Sequence, residues 1–177
     1  MRESPIEPPL LEHEGTVIGP LRPLDADPYS AATQDQEFLR AFGLPRAITP
    51  DEALTQIEGA MAAWRAGSGS DWRFAVRDSE DGPLLGELRL TRISPEPALT
   101  VSYWVSPEVR NEGHARRVLH LAWLFACEYL GVTHLDAVIP EWNEASIKAA
   151  INAGYTCEER GRTGDGDARV CRRGCPQ

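Results

Sequence analysis

The hydrophobic pattern changes its period along the chain, and this change limits the folds that the chain can adopt. From Trp72 to Val105, three runs of alternating apolar and polar residues are joined by short polar turns, which predicts an antiparallel meander. From Gly113 onwards, helical periodicity alternates with runs typical of buried strands. A meander followed by β–α alternation predicts an α+β fold, in which helices cover one mostly antiparallel sheet.

Capping and turn signals divide the chain into elements. We predict a first strand over 16–24 and one or two short helices over 26–42. The next helix begins after Thr49, because Pro50 suits the first helical position and Glu52 completes a capping box. The remaining predictions are helices over 113–130 and 143–153, and strands over 72–77, 84–93, 98–105, 132–139, 155–160 and 168–172.

Length and composition bound the class of protein. With 177 residues, 42% of them hydrophobic and 25% charged, the chain suits one globular domain. We expect that domain over 13–177, after a flexible leader over 1–12. No run approaches the about 18 apolar residues of a membrane span, and the acidic, Pro-rich N-terminus lacks the apolar segment of a secretion signal. We therefore expect a cytoplasmic protein that does not insert into membranes.

The net charge of −9 makes a nucleic-acid backbone an unfavourable partner. The charge is uneven, because the first 60 residues carry 11 acidic and 4 basic groups. Two interpretations stay open: the acidic groups keep the protein soluble, or they lie near a site that receives a cation.

Cysteines and histidines show no metal-binding pattern. The cysteines are Cys127, Cys157, Cys171 and Cys175, and the histidines are His13, His114, His120 and His134. None of the cysteines forms a C-x-x-C pair, so we expect free thiols, with Cys127 in the core of a helix. The histidines lack metal-ligand spacing, and we predict no metal site.

The segment 103–115 carries the clearest chemical signal, because a strand there leads through a short loop into a helix. Free N–H groups at the helix start, with Gly113 allowing close approach, predict an anion site. Three arginines flank that start: Arg110, Arg116 and Arg117. Their charge opposes the helix dipole, which a bound polyphosphate would offset. In the alternative interpretation, the arginines point into solvent or pair with Glu108 and Glu112.

Four segments, in order, resemble the GNAT superfamily of N-acetyltransferases, and in particular its branch of ribosomal-protein N-terminal acetyltransferases. The segments are Leu21-Arg22-Pro23-Leu24, Tyr103-Trp104-Val105, Arg110-x-x-Gly113-x-Ala115, and Asn143-x-x-Ser146 with Ala153-Gly154-Tyr155. The resemblance spans about residues 16–173. It implies the GNAT fold and acetyl-CoA as the acyl donor.

The resemblance also implies roles for individual residues. The backbone of Trp104 and Val105 would bind the pantetheine arm like an added strand. The pyrophosphate would lie against Arg110, Asn111, Glu112, Gly113, His114, Ala115 and Arg116. Asn143 would contact the pantetheine near the thioester, and Ser146 would donate a proton to the leaving thiolate. Alternatively, Asn143 is a plain helix cap and Ser146 bonds its own backbone.

The sequence departs from the family pattern at three places that matter for chemistry. Glu112 lies inside the phosphate loop, and we expect it to weaken binding of the donor. Thr100 and Ser102 stand where relatives often carry an acidic residue and a glycine, so that strand provides no base. Glu87 is then the best remaining carboxylate, acting through water to deprotonate the amine. Alternatively, it is a structural glutamate paired with Arg89.

We therefore expect direct transfer of an acetyl group to a primary amine in a ternary complex. Backbone N–H groups near Val105 would stabilise the oxyanion, and Tyr103 and Tyr155 are further proton donors or else core aromatics. The acceptor is a protein N-terminus or a cationic small molecule such as an antibiotic or polyamine, attracted by Asp25 and Asp27. The rival is an acyl-CoA-binding sensor without turnover. Exposed strand edges make a homodimer plausible.

Overall fold

Eight strands form one mixed sheet in the order β1-β2-β3-β4-β5-β6-β8-β7. The computed structural model describes residues 7–67, 69–92 and 97–176. The strands are β1 (Leu11–His13), β2 (Thr16–Gly19), β3 (Asp71–Arg77), β4 (Gly86–Thr91), β5 (Ala98–Val105), β6 (His134–Pro140), β7 (Thr156–Thr163) and β8 (Gly166–Gly174). The helices are α1 (Ala26–Ala32), α2 (Gln36–Phe42), α3 (Pro50–Ala66), α4 (His114–Phe125) and α5 (Glu144–Asn152). The predicted α+β class is confirmed.

Local signals explain the helix boundaries. The side chain of Thr49 accepts from the Glu52 N–H, and the Glu52 side chain accepts from the Thr49 N–H. This capping box starts α3 where the sequence predicts it. Helix α4 ends before the predicted Leu130, because its last turn widens into a π-type turn over Ala126–Leu130.

Pairing is antiparallel throughout the sheet except between β5 and β6, which run parallel. Two apolar cores follow from this arrangement. The larger one lies against α4 and includes Phe74, Leu88 and Phe125. The smaller one lies under α1 and α3 and includes Ile57 and Trp104. The sheet therefore separates two environments, and β5 contributes side chains to both.

The N-terminal part differs from the prediction. The expected strand over 16–24 ends at Gly19, because Pro20 has no N–H for the ladder. A short strand, β1, precedes it and pairs with it across the turn at Glu14 and Gly15. The expected leader over 1–12 therefore overlaps β1, and its first six residues lie outside the described part of the chain. The end of the predicted strand 84–93 also lies outside it.

The expectation of free thiols is wrong, because the four cysteines form two disulfides. Cys157 and Cys171 lie opposite each other on β7 and β8, with a Cα–Cα distance of 4.0 Å. Cys127 joins Cys175 across 5.5 Å between their Cα atoms, and it is half-buried rather than a core residue. Sequence spacing shows no such pairing, since both contacts depend on the tertiary fold.

Candidate functional site

Strands β5 and β6 separate after three residue pairs, and this opens a slot in the sheet. Their last pair is Thr100 with Asp136. Beyond it, residues 101–105 remain paired with β4, and residues 137–140 remain paired with β8. The two edges that face each other across the slot therefore have no strand partner there. An extended molecule with amide groups can bind such an edge as an added strand.

The backbone groups of β5 that face the slot follow from strand alternation. The Ser106 N–H donates to the Leu85 carbonyl at 2.7 Å, on the β4 side. A Cβ on Gly86 would lie 2.2 Å from the Trp104 carbonyl oxygen, so this carbonyl also faces β4, and only glycine permits the approach. Because direction alternates along a strand, the N–H and C=O groups of Tyr103 and Val105 point into the slot.

The start of α4 lies at the end of the loop that leaves β5. Its N-cap is Gly113, with a φ of +83°, and no side chain of the described residues caps the helix. By contrast, α5 is capped by the Asn143 side-chain oxygen, which accepts from the Ser146 N–H at 3.1 Å. The first N–H groups of α4 are therefore free to bind an anion. Asn111 in the same loop also has a positive φ of 65°.

The arginines beside this helix start are held by carboxylates from other elements. Arg110 pairs with Asp35 and with Glu37, the latter at 2.8 Å. Arg116 pairs with Glu14 of the β1–β2 turn, which also lies 3.7 Å from Arg117. The arginines are thus ion-paired, but the expected partners, Glu108 and Glu112, are wrong, because the actual partners come from elements distant in sequence. A bound pyrophosphate would replace these carboxylates as the counter-charge.

His114 and Glu112 take different positions in the loop. His114 is 6% exposed, and its Nδ1 lies 2.9 Å from the hydroxyl oxygen of Thr16. The imidazole ring of His114 therefore links α4 to β2 by a hydrogen bond. Only the backbone N–H of His114 is left to face an anion. Glu112 is exposed, with a carboxylate oxygen 3.6 Å from Nε2 of His114. Ala115 lies in the first turn of α4, beside these residues.

Tyr103 and Ser146 come together on the α5 side of the slot. Burial raises the pKa of Tyr103, and a side-chain interaction with Ser146 partly offsets this effect. The Tyr103 hydroxyl is buried and makes no hydrogen bond of normal geometry with the described residues. Tyr155, by contrast, donates its hydroxyl proton to the Leu119 carbonyl at 3.1 Å. Tyr155 is therefore a core residue, whereas Tyr103 and Ser146 adjoin the slot.

A cavity of about 350 Å³ lies on the opposite face of the sheet, between β3–β5 and the first helices. This volume suits a small-molecule site. The lining residues are Tyr29, Phe38, Ala41, Phe42, Leu44, Ile48, Gln56, Arg73, Glu87, Arg89, Ser102, Tyr103 and Trp104. The cavity reaches β5 at residues 102–104, where that strand has already left β6. The slot and the cavity therefore meet at this strand.

Glu87 lies in the polar part of the cavity. Its Oε1 accepts from Nε of Arg73 at 2.5 Å, and its Oε2 is buried without a hydrogen-bond partner among the described residues. The expected alternative partner, Arg89, instead pairs with Asp71 at 2.7 Å. Arg73 also donates to the Tyr29 hydroxyl at 3.3 Å. Burial raises the pKa of Tyr29 and keeps it neutral.

The two aspartates expected to attract the acceptor do not line this cavity. Asp25 is fully buried, and its Oδ2 accepts from Arg77 at 2.7 Å and from the Arg22 N–H at 2.8 Å. It is thus a structural ion pair closed to solvent, and the expectation for Asp25 does not fit its position. Asp27 is exposed on α1.

Sequence reasoning missed the aromatic wall of the cavity. Tyr29 and Phe38 contact the Trp104 ring, with ring-centroid distances of 5.2 and 5.5 Å, and the Phe42 ring lies tilted beside Phe38 at 4.8 Å. The available signal was the group of aromatic residues within the two short helices of segment 26–42. Their periodicity is too short to show which face is buried.

The slot between β5 and β6, and the start of α4 without a side-chain cap among the described residues, together suit an acyl-CoA-dependent N-acetyltransferase. The sequence pattern of the acetyltransferase (GNAT) domain matches residues 16–156. The chain belongs to this family.

Individual relatives agree with this assignment. The chain is 23% identical over 151 residues to the uncharacterized N-acetyltransferase YoaA of Bacillus subtilis strain 168, covering 85% of this chain and 84% of that protein. Its fold is similar to a putative ribosomal-protein-serine acetyltransferase from Vibrio cholerae (TM-score 0.77, 17% identity, 95% and 99% of the chains). It is also similar to a spermidine N-acetyltransferase from Vibrio cholerae, solved with CoA and spermine (TM-score 0.75, 14% identity, 91% and 96%). The predicted resemblance to the GNAT superfamily is confirmed, and these solved structures share its fold.

The described residues form neither a metal-binding cluster nor a membrane-spanning helix. They contain no group of three or more His, Cys, Asp or Glu side chains placed to hold a metal ion. Among the same residues, no helix is both long and apolar enough to cross a bilayer.

Proposed function

We propose that this enzyme moves an acetyl group from acetyl-CoA to a primary amine by direct attack, with both substrates bound together. The observation that carries the proposal is the meeting of slot and cavity at residues 102–104 of β5. A donor held in the slot places its thioester beside this strand, and an amine reaches it from the cavity. Proximity of this kind supplies much of the rate of a two-substrate reaction.

The fit of acetyl-CoA rests on backbone groups more than on side chains. The N–H and C=O groups of Tyr103 and Val105 would bind the amides of the pantetheine arm, and the first turn of α4 would bind the pyrophosphate. Arg110 and Arg116 would contribute after leaving their carboxylate partners. The amide nitrogen of Asn143 remains available to the donor, because only the side-chain oxygen is used as a cap.

The proton steps divide between the two faces of the sheet. On the cavity side, Glu87 takes a proton from the ammonium group of the acceptor through an intervening water, which leaves a neutral amine to attack. The N–H of Val105 would stabilise the negative charge that develops on the acyl oxygen. On the slot side, Ser146 gives a proton to the departing CoA thiolate as the C–S bond breaks. Tyr103 restores the proton of Ser146 and takes in its place the second proton of the attacking nitrogen, which that nitrogen loses as the amide forms.

The first test is calorimetric titration of acetyl-CoA into the wild-type protein and the Gly113→Trp variant. The variant places an indole at the helix start, where even a Cβ lies 3.3 Å from the Arg117 guanidinium. We expect binding to the wild type and its loss in the variant. Gly131→Trp is the matched control, because Gly131 also has a positive φ, of 63°, but follows the far end of the helix. Equal binding by all three proteins would refute the assignment of the loop.

The second test measures release of CoA thiol with a panel of primary amines. Transfer to any of them supports the proposal. Binding of acetyl-CoA without transfer would instead support the sensor alternative.

A further inference from the structure

We infer that the acceptor is a primary amine with a single positive charge, carried on an apolar or aromatic group. This inference rests on the proposed function, and it names the class of acceptor that the cavity selects. Two kinds of molecule carry such an amine: a free arylalkylamine, and a peptide whose N-terminal residue has an apolar side chain.

The walls of the cavity argue for an apolar substituent. Three aromatic rings line one side, where Phe38 contacts both Phe42 and Trp104. Leu44 and Ile48, from the segment between α2 and α3, extend the apolar surface. Phe42 remains 39% exposed, which an apolar ligand would reduce. An aliphatic or aromatic group gains free energy from burial on such a surface, and a hydrated cation does not.

The charges of the cavity argue against a second ammonium group. Glu87 is the carboxylate that lines it, and one of its oxygens is already bound to Arg73. Two arginines line the same space, so the lining has no excess of negative charge. The Oε2 of Glu87, which has no hydrogen-bond partner among the described residues, accommodates one donor: the water that links it to the ammonium group. A second ammonium would be desolvated without a counter-charge, which is strongly unfavourable.

The acidic N-terminal third does not reverse this balance, because none of its described carboxylates lines the cavity. Several are paired elsewhere in the chain: Asp25 with Arg77, Asp35 with Arg110, and Glu14 with Arg116. The excess of acidic residues before residue 60 therefore does not indicate a negatively charged acceptor site.

The test compares kcat/KM for 2-phenylethylamine, methylamine, spermidine and two tetrapeptides that differ only in an N-terminal Phe or Asp. We expect 2-phenylethylamine or the Phe peptide to exceed spermidine and methylamine by about 10-fold or more, as hydrophobic pockets discriminate on this scale. If 2-phenylethylamine has the higher kcat/KM, the acceptor is a free arylalkylamine; if the Phe peptide has it, the acceptor is a peptide N-terminus. A preference for spermidine, methylamine or the Asp peptide would overturn the inference and leave the proposed function intact. No transfer to any acceptor would overturn both.

Two variants of one residue check that the cavity is responsible. Ala41 is exposed on α2 and lines the cavity. Ala41→Trp narrows the space and is expected to lower kcat/KM for the apolar acceptor about 10-fold, with methylamine little affected. Ala41→Asp adds a carboxylate and is expected to raise kcat/KM for spermidine relative to kcat/KM for 2-phenylethylamine. Ala62→Trp on the exposed side of α3 is the control, and equal effects at positions 41 and 62 would overturn the assignment.

Discussion

The buried pair of Asp25 and Arg77 makes a sharp prediction about stability. The side chains are 0% and 4% exposed, and their atoms lie 2.7 Å apart. Asp25→Asn keeps the shape of the side chain but removes its charge, which leaves the Arg77 guanidinium buried without a counter-ion. Loss of one partner of a buried pair costs about 3–5 kcal/mol. For a domain of this size, each kcal/mol lowers Tm by about 2–4 °C, so we expect a decrease of about 6–20 °C.

The assay is thermal unfolding followed by circular dichroism, together with acceptor kinetics below the transition. Asp27→Asn is the matched control, because Asp27 is exposed two residues away and should change stability by less than about 0.5 kcal/mol. Asp25→Asn combined with Arg77→Met should recover part of the loss, since no unpaired charge then remains. An Asp25→Asn protein of unchanged Tm and raised acceptor KM would refute this reasoning, because the carboxylate would then act on the acceptor.

Three further predictions concern the slot and α3. Ser146→Ala should lower kcat about 100-fold with little change in the Kd for acetyl-CoA, and unchanged kcat in stopped-flow and steady-state assays would exclude a proton-donor role. Glu14→Gln should tighten acetyl-CoA binding in calorimetry, because it releases Arg116 to the pyrophosphate, and weaker binding would contradict this. Arg46, with help from the capping contact, lowers the pKa of Glu52 to about 2, so this carboxylate contributes stability above its usual pKa of 4.5 and loses it as pH falls towards 2. The Tm difference between wild type and Glu52→Gln should therefore shrink over that range, and a pH-independent difference would contradict the assignment.

Local signals explain which parts of the fold were predictable. The start of α3 at Thr49, the start of α4 after Gly113 and the Asn143 cap of α5 depend on residues within one or two turns, so the sequence shows them directly. The strand β5 and its loop were also predictable, because Val105 to Gly113 combines a strand end with a helix start.

Features that join distant segments were not predictable in the same way. The disulfides, the ion pair between Arg110 and Asp35, and the burial of Asp25 all depend on which elements the tertiary fold brings together. A carboxylate near a predicted site has the same sequence signature whether it binds a ligand or a buried arginine. The cavity was not predicted either, because part of its aromatic wall comes from helices too short for the sequence to show which of their faces is buried.

The two disulfides have a consequence for the unfolded chain. Both fasten residues at or just after β8, one to β7 and one to the end of the α4 segment, across sequence separations of 14 and 48 residues. By the chain-entropy account, loops of these lengths restrict the denatured ensemble by about 3 and 4 kcal/mol. The disulfides thus stabilise one wall of the slot, formed by β6 with β8, because they lower the conformational entropy of the denatured chain. The opposite wall, formed by β5 and the helices before it, depends on packing and ion pairs alone within the described chain, so heat or denaturant should loosen the acceptor side first.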